Sequence, residues 1–176
     1  DVMAGTGVKY YYTGINTYHS PNSLEGMPHA FYWQGPGGGR VMVFRSFRDY
    51  NEGWNIGFAM SYYELETRLP GFLGSLEAEK YQYDRLPMRT LGDITDDGPI
   101  AENLPSIVAE WNSKWAFPKI EIGTPTRFFE GFEKKYGKAL PVMKGDWTAF
   151  WEDGVVSSTL ETTAIRSVHR DLLYSG

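Results

Sequence analysis

The stretch Lys144-Gly145-Asp146-Trp147-Thr148-Ala149-Phe150-Trp151-Glu152-Asp153-Gly154 puts three carboxylates and three large aromatic rings within eleven residues. Carboxylates can protonate a leaving oxygen, attack an anomeric carbon or hold hydroxyls, and flat indole faces stack on the C–H faces of a pyranose ring. The mixture therefore fits sugar chemistry. It also fits plain structure, because Gly145-Asp146 and Asp153-Gly154 are turn dipeptides and loop tryptophans often only cap a core. A second acidic group, Asp93, Asp96 and Asp97, lies in the polar run Gly92–Pro99 after an extended segment. Loops at strand carboxyl ends carry the sites of α/β folds, which makes both groups candidates. Asp96-Asp97-Gly98-Pro99 equally suits a turn into the next helix.

Other chemistries find little support. His19, His29 and His169 have no second ligand at a metal spacing, and His169 and Asp171 would point about 200° apart around a helix, so no metal site is expected within the chain. With no cysteine there is no thiolate nucleophile or thiolate metal site, and the redox compartment stays open. No Gly-x-Ser-x-Gly motif marks an activated serine. The run Gly35-Pro36-Gly37-Gly38-Gly39-Arg40 lacks a following Gly-Lys-Ser/Thr and a helix N-terminus, so it reads as a turn and not as a phosphate loop. A net charge of −5 argues against a broad nucleic-acid face. No run approaches the ~20 apolar residues of a bilayer span, so no membrane partner is expected.

The elements that must position the acidic loops follow from residue pattern. Asp1–Gly5 reads as the last turn of a helix ending at glycine, as in a piece of a larger polypeptide. Val8–Tyr12 favours a strand, and Phe31–Trp33 and Val41–Phe44 read as two strands around the glycine turn. Phe58, Tyr62, Leu65 and Leu69 recur at helical spacing from Trp54 onward, with a break at Pro70-Gly71 beyond which Phe72, Leu73 and Leu76 can continue the helix. Tyr83–Leu91 is extended, and Pro87 weakens any claim to a central strand. Pro105 opens a helix with Ile107, Val108, Trp111 and Trp115 on one face, ending before Pro118. Lys119–Ile122 alternates as a short strand. Thr124-Pro125 then starts a helix presenting Phe128, Phe129, Phe132 and Tyr136. Ser158 and Glu161 form a capping box for a last helix burying Leu160, Ala164, Ile165, Val168 and Leu172. This alternation predicts an α/β class with a mostly parallel sheet and flanking helices.

Taken in order, several of these segments resemble the N-terminal catalytic domain of glycoside hydrolase family 38, the α-mannosidase family, in its divergent bacterial-type members. The likeness rests on Gly7-Val8-Lys9-Tyr10 with Gly14-Ile15-Asn16, Ala30–Gly38 around Phe31-Tyr32-Trp33, and Glu110–Trp115 followed by Pro118–Thr124 and Phe128-Phe129. It is strongest over Leu140-Pro141-Val142, Gly145-Asp146-Trp147-Thr148, Trp151-Glu152-Asp153-Gly154 and Ser157-Ser158. The resemblance implies part of a seven-stranded β/α barrel-like catalytic domain over residues 1–155. The start of a following helical segment would then occupy 156–176, with the remaining domains of the parent chain as partners. It implies a retaining enzyme acting on α-mannosides or related glycans and using zinc. Either Asp93 or Asp96 would be the acid/base, Trp151 would line the sugar pocket beside Trp147, and Asp146 would organise the loop.

The family's His-x-Asp pair, its nucleophile motif and its later His-Asp motif are all missing from this sequence. The zinc ligands are therefore expected in the parent enzyme outside this chain, and the isolated chain is expected to be inactive. A retaining glycosidase needs two carboxylates about 5–5.5 Å apart, of which this chain offers one. Two rival readings stand beside this one. The first is a noncatalytic carbohydrate-binding module stacking sugars on Trp33, Trp147 and Trp151, which an all-β core would favour. The second is a purely structural domain with its tryptophans buried.

Overall fold

The computed structural model describes residues 1–14, 26–48, 50–90, 98–145 and 158–174. Its centre is a sheet of four strands, β1 (Tyr10–Thr13), β2 (Ala30–Gln34), β3 (Arg40–Arg45) and β4 (Val142–Met143), in the order β1-β3-β2-β4. β2 and β3 form the expected antiparallel hairpin, with Phe31 opposite Val43 and Gln34 opposite Arg40. Its turn closes through Gly35 N–H on Gly39 O at 2.9 Å and Gly38 N–H on Gly35 O at 3.0 Å. β1 joins β3 in parallel and β4 joins β2 in parallel, so two of the three pairings are parallel.

Successive strand side chains alternate between faces, and both faces are buried. Ala30, Tyr32, Met42 and Phe44 meet Phe129 and Phe132 of helix α5 (Pro125–Tyr136), together with Phe47, Leu76 and Leu140. Phe31, Val41 and Val43 meet Met3 and Ala4 of the short α1 (Val2–Gly5) and Met27 on the other side. A third cluster joins Ile56, Phe58, Leu65, Leu69, Ile107 and Trp111, which brings α2 (Glu52–Asn55), α3 (Tyr62–Ala78) and α4 (Leu104–Lys114) together.

α5 forms where its cap places it. Thr124 Oγ1 accepts the Arg127 N–H at 3.3 Å, Pro125 occupies the first turn, and Phe129 and Phe132 fall on one face. Phe132 is fully buried, with its ring 5.6 Å from Phe44 and 4.8 Å from Tyr83. From there an aromatic ladder continues through Tyr81, 5.3 Å from Tyr83, to Phe47 at 5.3 Å. The high aromatic content thus ties the irregular segment 81–90 to the sheet.

Several expectations need correction. The helix predicted from Trp54 starts at Tyr62, because Gly57 adopts φ +103° and a Cβ there would meet Leu65 N at 2.6 Å. Pro70 does not break it, and α3 runs on to Ala78. A helix-interior proline costs ~3 kcal/mol, whereas burying Leu65, Leu69 and Leu76 contributes roughly 1.5–3 kcal/mol each. Lys119–Ile122 is not a strand. The Asn112 side chain takes the place of a neighbouring strand: its Oδ1 accepts the Ile120 N–H at 3.1 Å and its Nδ2 donates to Ile120 O at 2.8 Å. Trp115 is the C-cap of α4 and 46% exposed, outside that helix's buried face. α1 ends at Gly5 as expected, and the left-handed residue beyond it is Gly7. The last helix, α6 (Thr159–Tyr174), forms as predicted, but Leu160, Ile165, Val168 and Leu172 are exposed and none of its described residues is buried. No described helix is long and apolar enough to cross a membrane.

Candidate active site

The carboxyl ends of β1 and β3 share one edge of the sheet, and the chain is packed hard there. Ser46 N–H continues the parallel ladder to Thr13 O at 2.8 Å. Gly14 follows β1, and a Cβ on it would lie 2.5 Å from Tyr50 Cα and 2.8 Å from Ser46 Oγ, so only glycine fits. Glu52, 3% exposed, accepts the Arg48 backbone N–H through Oε1. Half-buried Arg45 donates from Nε to Met27 O at 2.9 Å and from Nη1 to Ser46 O at 3.3 Å. Burial lowers the Arg45 pKa, and the charges of Glu52 and Glu79 oppose that shift. His29 sits between Phe47, at 4.5 Å, and Tyr81, at 5.6 Å. Burial first and the Arg45 charge second push it down to about 4, so it is neutral at pH 7.

The segment leading to the first acidic loop docks on this same edge. Asp84 fastens it to α5: Tyr136 Oη donates to Asp84 Oδ1 at 2.7 Å and accepts the Asp84 N–H at 3.1 Å. Hydrogen bonds from Lys135 and Tyr136 hold the Asp84 carboxyl well below its usual range. Five residues on, Arg89 donates from Nε and Nη2 to Tyr50 O at 2.9 and 2.6 Å. Its guanidinium carbon lies 5.7 Å from the Tyr12 ring and 5.7 Å from the Tyr50 ring. The Arg89 carbonyl accepts the Gly53 N–H at 3.0 Å, and a Cβ on Gly53 would come within 2.6 Å of that oxygen. Asp93 and Asp96 lie outside the described residues, but the chain enters their loop from this edge.

The opposite edge carries the start of the aromatic-acidic stretch. β4 ends at Met143, and Trp33 Nε1 donates to Gly145 O at 2.8 Å, where Gly145 has φ +106°. Asp146, Trp147 and Trp151 lie outside the described residues. Near this edge Glu133 of α5 accepts from Tyr10 Oη at 2.9 Å and Tyr32 Oη at 2.7 Å. Burial and the Glu133 carboxylate push both phenols up to about 12. Arg40 lies over the Tyr32 ring at 4.4 Å, and these side chains line an open groove of about 410 Å³ with Lys138, Leu140 and Val142. The structure therefore sends the two predicted acidic loops out from opposite ends of the strands. Five residue steps along β3, about 17 Å, separate those ends.

A model of the glycosyl hydrolases family 38 N-terminal domain matches residues 1–152. The chain belongs to glycosyl hydrolase family 38. Comparison with curated proteins and with solved structures gave no match. The family 38 match spans all four strands and α1 to α5, and it ends before α6 begins at Thr159. It agrees with the mixed α/β core, whereas a sugar-binding module was expected to be all-β.

The zinc expected of a family 38 enzyme does not fit the described part of this one. Among the described residues no three His, Asp or Glu side chains could hold a metal ion. The buried Nδ1 of His29 has no hydrogen-bond partner among them, but Arg45 stands beside it and its charge opposes a cation.

The sequence did not flag the Arg89 junction or the Glu133–tyrosine cluster. Arg89 meets a carbonyl 39 residues away and Glu133 meets hydroxyls 123 and 101 residues away, so neither leaves a local motif. The one sequence feature pointing to the junction was the pair of glycines, Gly14 and Gly53, at positions where backbones touch.

Proposed function

We propose that this chain forms part of a retaining α-mannosidase and supplies its acid/base carboxyl from Asp93 or Asp96. The observation that carries the reading is the family 38 match over residues 1–152, which includes both aspartates and the aromatic-acidic stretch. The docking of Arg89 on the carboxyl edge of β1 and β3 supports it, because β/α catalytic domains build their sites from the loops at strand carboxyl ends. In the reaction the aspartic acid delivers its proton to the glycosidic oxygen as the C1–O bond breaks. A second carboxylate attacks C1 to give a glycosyl ester, and the deprotonated aspartate then takes a proton from the water that cleaves that ester.

The second carboxylate and the zinc ligands of the family correspond to no motif in these 176 residues, so they come from elsewhere in the polypeptide. The 176 residues alone are inactive. In the full domain the four-stranded sheet is part of a seven-stranded β/α barrel-like structure over residues 1–155, and 156–176 begin a helical segment. Trp151 is the sugar platform with Trp147 beside it, and Asp146 organises the loop.

An assay of the full-length polypeptide on an aryl α-mannoside, with and without a chelator, tests the reading. Activity that the chelator abolishes is expected, together with none from residues 1–176 alone. Turnover by the isolated chain, or none by the full-length protein, contradicts it.

A further inference from the structure

We propose that the exposed indole of Trp115 is a stacking platform for one hexose ring of a mannose glycan, apart from the ring whose bond is cleaved. The choice of mannose rests on the α-mannosidase reading. The platform itself rests on residues of α3 and α4.

Trp115 is the C-cap of α4 and is 46% exposed, whereas Trp111 one turn earlier is buried. Most surface side chains turn freely, but this indole is fixed in place. Its Nε1–H donates to Tyr62 Oη at 3.1 Å, and its ring centre lies 5.9 Å from that of Trp111. Tyr62 Oη donates in turn to Glu66 Oε1. Lys114 Nζ sits 3.9 Å from the centre of the Tyr62 ring and donates to Glu110 Oε1 at 2.8 Å. A held aromatic surface therefore has a phenol, two carboxylates and an ammonium beside it.

An indole so placed could be covered by apolar protein or by a sugar, and its neighbours decide between them. The core of a protein interface is depleted of charge. Glu110 and Lys114 are about half exposed, and an apolar partner would strip water from both without replacing its hydrogen bonds. A pyranose ring lays its C–H face on the indole and turns its hydroxyls toward the charged groups around it, where each hydroxyl can donate to a carboxylate or accept from the ammonium.

The experiment uses the full-length polypeptide with two probes: an α-mannan polysaccharide for binding, read as retardation in a native gel cast with the polymer, and an aryl α-mannoside for cleavage. Trp115→Ala should weaken binding to the polymer about tenfold, the worth of one ring stack. It should leave kcat/KM on the aryl mannoside unchanged, because that substrate offers a single sugar. Trp115→Phe keeps a flat ring and should retain most of the binding. The wild-type protein supplies a check that needs no variant to fold: an α-linked mannose oligosaccharide should slow oxidation of Trp115 by N-bromosuccinimide, read by mass spectrometry of its peptide. Equal binding by Trp115→Ala and wild type, or oxidation of Trp115 at the same rate with and without the oligosaccharide, would overturn the inference. If the wild type binds the polymer through Trp115 but cleaves no mannoside, the platform stands and the mannosidase reading falls. If it cleaves the aryl mannoside while Trp115→Ala loses no binding, the platform falls and that reading stands.

Discussion

The two edges of the sheet are held in different ways. At the carboxyl ends of β1 and β3, backbone presses on backbone: Gly14 on Tyr50 and Gly53 on the Arg89 carbonyl, with no room for a Cβ at either place. At the other edge the Trp33 indole N–H holds Gly145 O, a Cβ on Gly145 would meet nothing within 4 Å among the described residues, and the groove beside Glu133 is open. Close backbone contact fixes position to a fraction of an ångström, whereas one side-chain hydrogen bond leaves freedom. An acid/base group needs the first kind of support and a sugar platform tolerates the second.

That contrast is open to direct attack. Removing the acid/base carboxyl should have the largest effect: Asp93→Asn or Asp96→Asn lowers kcat of the full-length enzyme by about 10²- to 10⁴-fold, while the other variant stays near wild type. Trp151→Ala should mainly raise KM by about tenfold, the worth of one ring stack. A large kcat loss from Trp151→Ala would erase the distinction between the edges.

Stability should follow the same ordering of tightness. Phe132→Ala removes the ring on which α5 meets the sheet and should cost about 3–5 kcal/mol in urea unfolding. Gly14→Ala should cost about 1–3 kcal/mol by overpacking against Tyr50.

A further effect is a pH dependence. The folded pKa of His29, about 4, lies below its ordinary value of 6.5. Between those values the unfolded chain binds a proton that the folded chain refuses, so stability rises as pH goes from 4 to 6.5 and this contribution is flat above. Urea midpoints measured across that range should lose the His29 part of the slope in His29→Phe.

Elements whose physics is local were legible in the sequence. The β2–β3 hairpin follows from aromatic and β-branched runs around glycines, and α5 follows from Thr124-Pro125 and the phenylalanine spacing. Pattern failed where a distant partner decided the outcome. Lys119–Ile122 has the alternation of a strand, but Asn112 satisfies the Ile120 backbone in place of a neighbouring strand. Pro70 has the local cost of a helix breaker, and buried leucines on either side of it outweigh that cost. The apolar stripe of α6 predicted burial, which also requires a surface to pack on, and none of the stripe is buried. The contacts of Arg89 with Tyr50 and Gly53 join residues far apart in the chain and leave no local pattern.

The most direct test is the separation between two carboxylates in a crystal structure of the full-length enzyme. The side chain of Asp93 or Asp96 should lie about 5–5.5 Å from the nucleophile carboxylate, with Arg89 still on Tyr50 O. A different carboxylate at that distance, with both aspartates turned away from the site, would contradict the assignment.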